Sequence, residues 1–232
     1  MSTQLTINPT FNIFKFCKDH ICLDIGANEG GMTESMLQNG AKKIYCFEPG
    51  KKLCQQMRNR FENNDKVVII ETGLSDEIGE LKNVTYLNAW VLGNPNEIKL
   101  DVSPGACDIE GYDLFDVSLN TVDNYFKDSI EEIGFMKIDV DGYDYKVLKG
   151  SQNIINKYRP IIFIELSYYY DIIKGSSTKD FFDFVVANKY EFISIDGNIR
   201  SIEFVKQEFP YHSSCDIFLC PLEKIEFFKE NI

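Results

Sequence analysis

"CLDIGANEGGM", residues 22–32, joins an apolar run of strand character ending on Asp24 to a turn with three glycines, Gly26, Gly30 and Gly31. Glycines at such a joint either satisfy a backbone that other residues adopt poorly or leave room for a ligand to approach it. Similar apolar runs recur along the chain: "KIYCFE", "KVVIIETGL", "GFMKIDV" and "PIIFIEL". Together with "HICLDI", they are apolar on both faces, as strands of a covered parallel sheet are. Amphipathic segments lie between them. "GMTESMLQNG" stops at Gly40, and "GKKLCQQMRNRFENN" spaces Leu53, Met57 and Phe61 four apart. "YDYKVLKGSQNIINKY" reads as a helix ending before Arg159-Pro160, and "STKDFFDFVVANK" as one with a Ser/Thr start.

Strands alternating with helices predict an α/β fold with a doubly wound, mostly parallel sheet. Two stretches depart from that rhythm. Residues 76–118, with "LKNVTYLNAWVLG" and "EIKLDV", read as a hairpin-bearing insertion. "YEFISIDGNIRSIEF" followed by "SCDIFLCP" reads as strand, turn, strand, strand, which predicts an antiparallel edge. No repeat or linker interrupts the chain, so residues 1–232 are expected to form one domain.

The 232 residues are 44% hydrophobic and 13% aromatic, enough for one large core without staples. A net charge of -12 with no dense basic run argues against a default nucleic-acid or anionic-membrane surface. Seven cysteines (17, 22, 46, 54, 107, 215 and 220) form no C-x-x-C pair. They are expected to be reduced thiols in a cytoplasmic protein. No signal peptide or membrane span is expected.

Ligands of open α/β sheets bind beyond the carboxyl ends of the strands. The acids expected there are Asp24, Glu48, Asp76, Asp139, Asp141 and Glu165. A glycine turn after the first strand, with an acid ending the second, is how this architecture holds a ribosyl cofactor. The glycine pattern D-x-G-x-x-x-G lacks the spacing that seats a pyrophosphate, which favours a cofactor without phosphate, S-adenosylmethionine. Its cationic end would suit an acid at Asp24. Candidate cofactor contacts are therefore Asp24, Gly26, Ala27, Asn28 and Gly30 in the turn and Glu48 and Pro49 after the second strand. Leu74, Ser75 and Asp76 are placed beside the adenine.

These blocks resemble the FkbM-type methyltransferases of the Rossmann-like class. "LDIGANEGGMT", "YCFEPGKKL", "TGLSDEIGEL", "MKIDVDGYDYKVLKGSQNII" and "RPIIFIELS" fall in family order across roughly residues 21–167. Asp141 and Asp144 stand where the family pattern has glutamates. The resemblance implies methyl transfer to a hydroxyl, most often of a sugar or glycan.

Such transfer needs in-line placement and removal of the hydroxyl proton. Asp139, ending the fourth parallel strand, is the candidate base or metal ligand. Lys137 shares its strand face, and could orient Asp139, stabilise an alkoxide or form a structural pair. Asp139, Asp141 and Glu165 could together hold a divalent cation through oxygen ligands, or serve as turn-forming and hydrogen-bonded structural acids. His212 is an alternative base, with surface decoration as its plainer role. Trp90 and Tyr168 to Tyr170 are candidate aromatic surfaces for the acceptor, with packing as the alternative. Lys137, Asp139 and Glu165 are also loosely similar to the Lys/Asp/Glu site of enzymes that methylate RNA ribose, and a catalytically inactive binding subunit is a third reading.

Overall fold

The computed structural model describes residues 12–87, 90–93, 115–128, 132–167, 177–208 and 214–231. The first half contains β1 (Ile21–Ile25), α1 (Gly31–Gln38), β2 (Lys43–Phe47), α2 (Lys51–Arg60), β3 (Val67–Ile70), β4 (Gly73–Leu74), β5 (Gly79–Leu87), β6 (Trp90–Gly93), β7 (Phe115–Asn120) and α3 (Val122–Tyr125). The second half contains β8 (Ile133–Ile138), α4 (Asp144–Lys149), α5 (Gln152–Tyr158), β9 (Ile161–Ser167), α6 (Thr178–Ala187), β10 (Tyr190–Ser194), β11 (Ile199–Arg200), α7 (Ile202–Glu208), β12 (Ser214–Pro221) and α8 (Ile225–Glu230).

The main sheet runs β11-β10-β12-β9-β8-β1-β2-β3. β9, β8, β1, β2 and β3 are parallel neighbours, and β12 pairs antiparallel with both β9 and β10. Strand order reverses between β1 and β8, so the crevice beyond their carboxyl ends is the topological switch point. Alternation along β1 sends Leu23 and Ile25 into a core with Phe126, Tyr145 and Phe181, and Cys22 into the opposite core with Phe135, Phe163 and Phe228. Each face is closed by helices, which is why the parallel strands are apolar throughout. Phe16, in a 3-10 turn at Ile13–Cys17, stacks on Phe228 with centroids 4.3 Å apart and ties the two ends of the described chain together.

Several expectations need revising. "KVVIIETGL" is not one strand: β3 ends at Ile70, and β4 joins a second sheet of order β4-β7-β5-β6. "YDYKVLKGSQNIINKY" is two helices. They part at Gly150, whose position admits no Cβ because one would overlap the Ser75 carbonyl oxygen. In the insertion β5 and β6 pair antiparallel, with Leu87 opposite Trp90, inside "LKNVTYLNAWVLG", while "EIKLDV" lies outside the described residues. Ile202 to Phe204 of "SIEF" belong to α7 and not to a strand. Among the described residues no helix is long and apolar enough to cross a membrane.

Candidate functional site

At the carboxyl ends of β1, β2, β8 and β9 lies a cavity of about 540 Å³. Gly26, Ala27 and Asn28 border it, as do Glu48, Pro49 and Leu74, and on another side Lys137, Asp139, Asp141 and Glu165. The sequence-derived cofactor turn and the acid group therefore share one chamber.

Backbone geometry explains the turn. Gly26 has φ +76°, and a Cβ there would overlap the Asp139 carbonyl oxygen. The Asp139 amide in turn donates to the Ile25 carbonyl at 3.1 Å. The β1 turn and the end of β8 thus touch through backbone alone, an approach only glycine permits. Glu48 is buried and ties this turn to the next one. Its carboxylate accepts the Asn28 amide at 3.0 Å and the Gly50 amide at 2.8 Å. A carboxylate accepts more than two hydrogen bonds, and Glu48 keeps an edge on the cavity.

Asp24 does not border the chamber. Strand alternation turns it onto the face of Cys22, under α1, where it is fully buried. One carboxylate oxygen accepts the Thr33 hydroxyl at 2.6 Å, and the other lies 3.6 Å from the Lys137 ammonium. Gly30 (φ +81°) caps α1 against the Phe61 ring and is likewise set back. Ser75 is buried and Asp76 pairs with Lys149 at 2.5 Å, both away from the cavity. Of the three expected residues only Leu74 borders the cavity; Thr72 and Gly73 form the wall with it, backed by Leu81, Val117 and Leu119 of the small sheet. Leu74 is where the sequence places it, whereas Leu81, Val117 and Leu119 were not expected at the site. The alternation in "GELKNV" and "FDVSLN" marks them as one face of a strand pair, and only the sheet pairing directs that face to the cavity.

Lys137 is paired with Asp24 in the β1–β8 register and is 3% exposed. Its ammonium donates to the Gly26 carbonyl at 2.8 Å and the Ile25 carbonyl at 3.4 Å, and lies 3.3 Å from Asp139. Burial alone would lower its pKa, but the Asp24 and Asp139 carboxylates outweigh that and hold it above the usual lysine value. Asp139 is the accessible member of the group, with 43% of its side chain exposed.

The segment after β8 turns sharply. Asp141 (φ +52°) and Gly142 (φ +88°) are both left-handed. Asp144, buried, accepts the Val140 amide at 3.1 Å and the Gly142 amide at 3.0 Å and fixes the loop. Asp139, Asp141 and Glu165 each bring an oxygen within 4.8 Å of the others. Burial first, then the charges of Asp139, Asp216 and Asp141, push Glu165 up to about 7, against an opposing hydrogen bond from Ser214. Asp216 stands directly across the β9–β12 ladder from Glu165. His212 and Tyr168 to Tyr170 lie outside the described residues, as does the Trp90 side chain.

The sequence profile described as "Methyltransferase FkbM domain" matches residues 24–193. The protein named Hemolysin A from Brachyspira hyodysenteriae is 43% identical over 54 residues, 23% of this chain and 21% of that protein. Among solved structures, one named Methyltransferase FkbM from Methylobacillus flagellatus superimposes with a TM-score of 0.52 at 14% identity, covering 86% of this chain and 43% of that one. An rRNA methylase from Streptococcus thermophilus does so with a TM-score of 0.50 at 12% identity, covering 96% and 99%. The chain thus spans about a fifth of the curated relative's length and under half of the first structure's.

Proposed function

The chain belongs to the FkbM methyltransferase family, and from that membership we propose that it carries a methyl group from S-adenosylmethionine to a hydroxyl of a sugar or glycan. The observation that carries this reading is the single chamber bordered by both the glycine turn with Glu48 and the carboxylates Asp139, Asp141 and Glu165. Glu48 accepts hydrogen bonds from the ribose hydroxyls. Leu74, Leu81, Val117 and Leu119 offer an apolar wall suited to the adenine ring. Asp139, accessible and aligned by Lys137, faces the methyl end.

The reaction is an in-line displacement. The acceptor oxygen forms a bond to the methyl carbon while the carbon–sulfur bond breaks, its electrons neutralising the sulfonium. Asp139 takes the hydroxyl proton as that oxygen attacks. Asp139, Asp141 and Glu165 also fit a hard cation, being oxygen donors at a spacing that one ion could bridge. Such an ion would lower the pKa of the acceptor hydroxyl. The buried free thiols fit a reducing compartment such as the cytoplasm.

RNA ribose is the second reading, favoured by the convergence of Lys137, Asp139 and Glu165 on one cavity. A net charge of -12 weighs against it, because nucleic-acid affinity rests on cationic contacts to phosphate. The test is calorimetry with S-adenosylmethionine and S-adenosylhomocysteine, followed by labelled-methyl transfer across glycan and RNA panels, with and without chelator. Glu48→Ala is expected to weaken cofactor binding by about 1.5–3 kcal/mol, the worth of hydrogen bonds to a charged group. Absence of binding by the native chain would refute the cofactor assignment. Binding without transfer to any acceptor would favour the inactive-subunit reading.

A further inference from the structure

We propose that Lys137 is a positioning residue that fastens the cofactor turn and Asp139 into one rigid piece and makes no contact with the acceptor. This rests on the proposed roles of the turn and Asp139. An ammonium has three N–H bonds to give. Around Lys137 stand four acceptors within 3.6 Å: the Gly26 and Ile25 carbonyls, Asp139 and Asp24. With the side chain 3% exposed, no proton remains to reach a substrate oxygen.

The order of the distances separates fastening from simple charge pairing. Were Lys137 present only to neutralise Asp24, that contact would be the shortest. It is the longest, at 3.6 Å, and that Asp24 oxygen makes no hydrogen bond. The shortest contact, 2.8 Å, goes to the Gly26 carbonyl, in the turn that already touches the Asp139 backbone. Asp24, anchored to α1 through Thr33, keeps the buried ammonium charged. Gly26 and Asp139 are the groups it holds in place. Because Lys137 engages Oδ2 of Asp139, the other carboxylate oxygen is left for the cavity.

Lys137→Met alone strands the Asp24 charge and is expected to unfold readily, so the informative protein is the charge-balanced Asp24→Asn/Lys137→Met pair. Amide hydrogen exchange read peptide by peptide is compared with the native chain, alongside S-adenosylhomocysteine affinity. Fastening predicts faster exchange confined to residues 25–31 and 139–143, unchanged protection in β2 and β9, and an affinity loss of about tenfold or more. Native protection in the turn, or a loss spread evenly over the sheet, would overturn the proposal, since each is what a purely structural pair gives. A native chain that binds no S-adenosylhomocysteine refutes the proposed function instead, while the exchange pattern still reads the role of Lys137.

Discussion

Glu165 carries a proton at a pH where ordinary carboxylates have lost theirs, and the sign of that shift has a consequence for stability. Its pKa rises from 4.5 to about 7 on folding. A group that binds its proton more tightly when folded stabilises the protein below the unfolded pKa, and loses that contribution as pH climbs through the folded one. Glu165→Gln, measured in chelator, should therefore match the native chain near pH 4.5 and exceed its melting temperature above pH 7. The gap should approach ten degrees, the effect of about 3 kcal/mol in a chain of this size. A gap that ignores pH would contradict the assignment. Gly26 offers a contrast with Gly31, whose Cβ would meet nothing. Gly26→Ala should cost about 1–3 kcal/mol, typical of a strained backbone position, and abolish S-adenosylhomocysteine binding in calorimetry. Gly31→Ala should leave stability near native. At this scale the sequence identified which residues stand at the cavity better than it identified how they point. Glu48, Asp139 and Glu165 reach the chamber because strand ends deliver them there. The burial of Asp24 depends on one step of strand alternation and on Thr33 nine residues away.

Among the elements, the parallel strands and long helices were legible because their apolar spacing is local. The break between α4 and α5 was not, since its cause is the Ser75 carbonyl packed against Gly150 from a distant loop. The small sheet escaped for the same reason: β4 is only Gly73–Leu74, too short to show a period. The C-terminal elements are held by a staple with no sequence signature. Arg159 (φ +53°) ends α5 and donates to the Asn188 carbonyl at 2.8 Å, the Lys189 carbonyl at 3.1 Å and Glu223 at 2.7 Å. Its guanidinium also covers the Tyr190 ring. Arg159→Ala should lower unfolding free energy by about 1–3 kcal/mol, since it removes the donor to the part-buried Asn188 carbonyl, one of the two donors to the Lys189 carbonyl, and the packing on Tyr190. Arg60→Ala, which breaks the exposed pair with Glu34, should change it by under about 1 kcal/mol. Urea titration of both variants makes the comparison.

Across the whole molecule, the switch point between β1 and β8 brings the glycine turn and the acids together, although Gly26 and Lys137 stand 111 positions apart in the chain. Asp139→Asn should retain the fold and most S-adenosylhomocysteine affinity while lowering turnover by about two to four orders of magnitude, the range of a general base. Near-native turnover would move the proton-accepting role elsewhere. The position of β12 governs how the chain must assemble. β9 and β10 are not hydrogen-bonded to each other; β12, following both in sequence, fills the space between them. A nascent chain on the ribosome therefore holds β10 and β11 with no sheet to join until residues 214–221 emerge. Loop closure of this kind is entropically slow. Until it happens, the facing edges of β9 and β10 are open to pairing with other chains, so a stall shortly before residue 214 leaves an intermediate with two open strand edges.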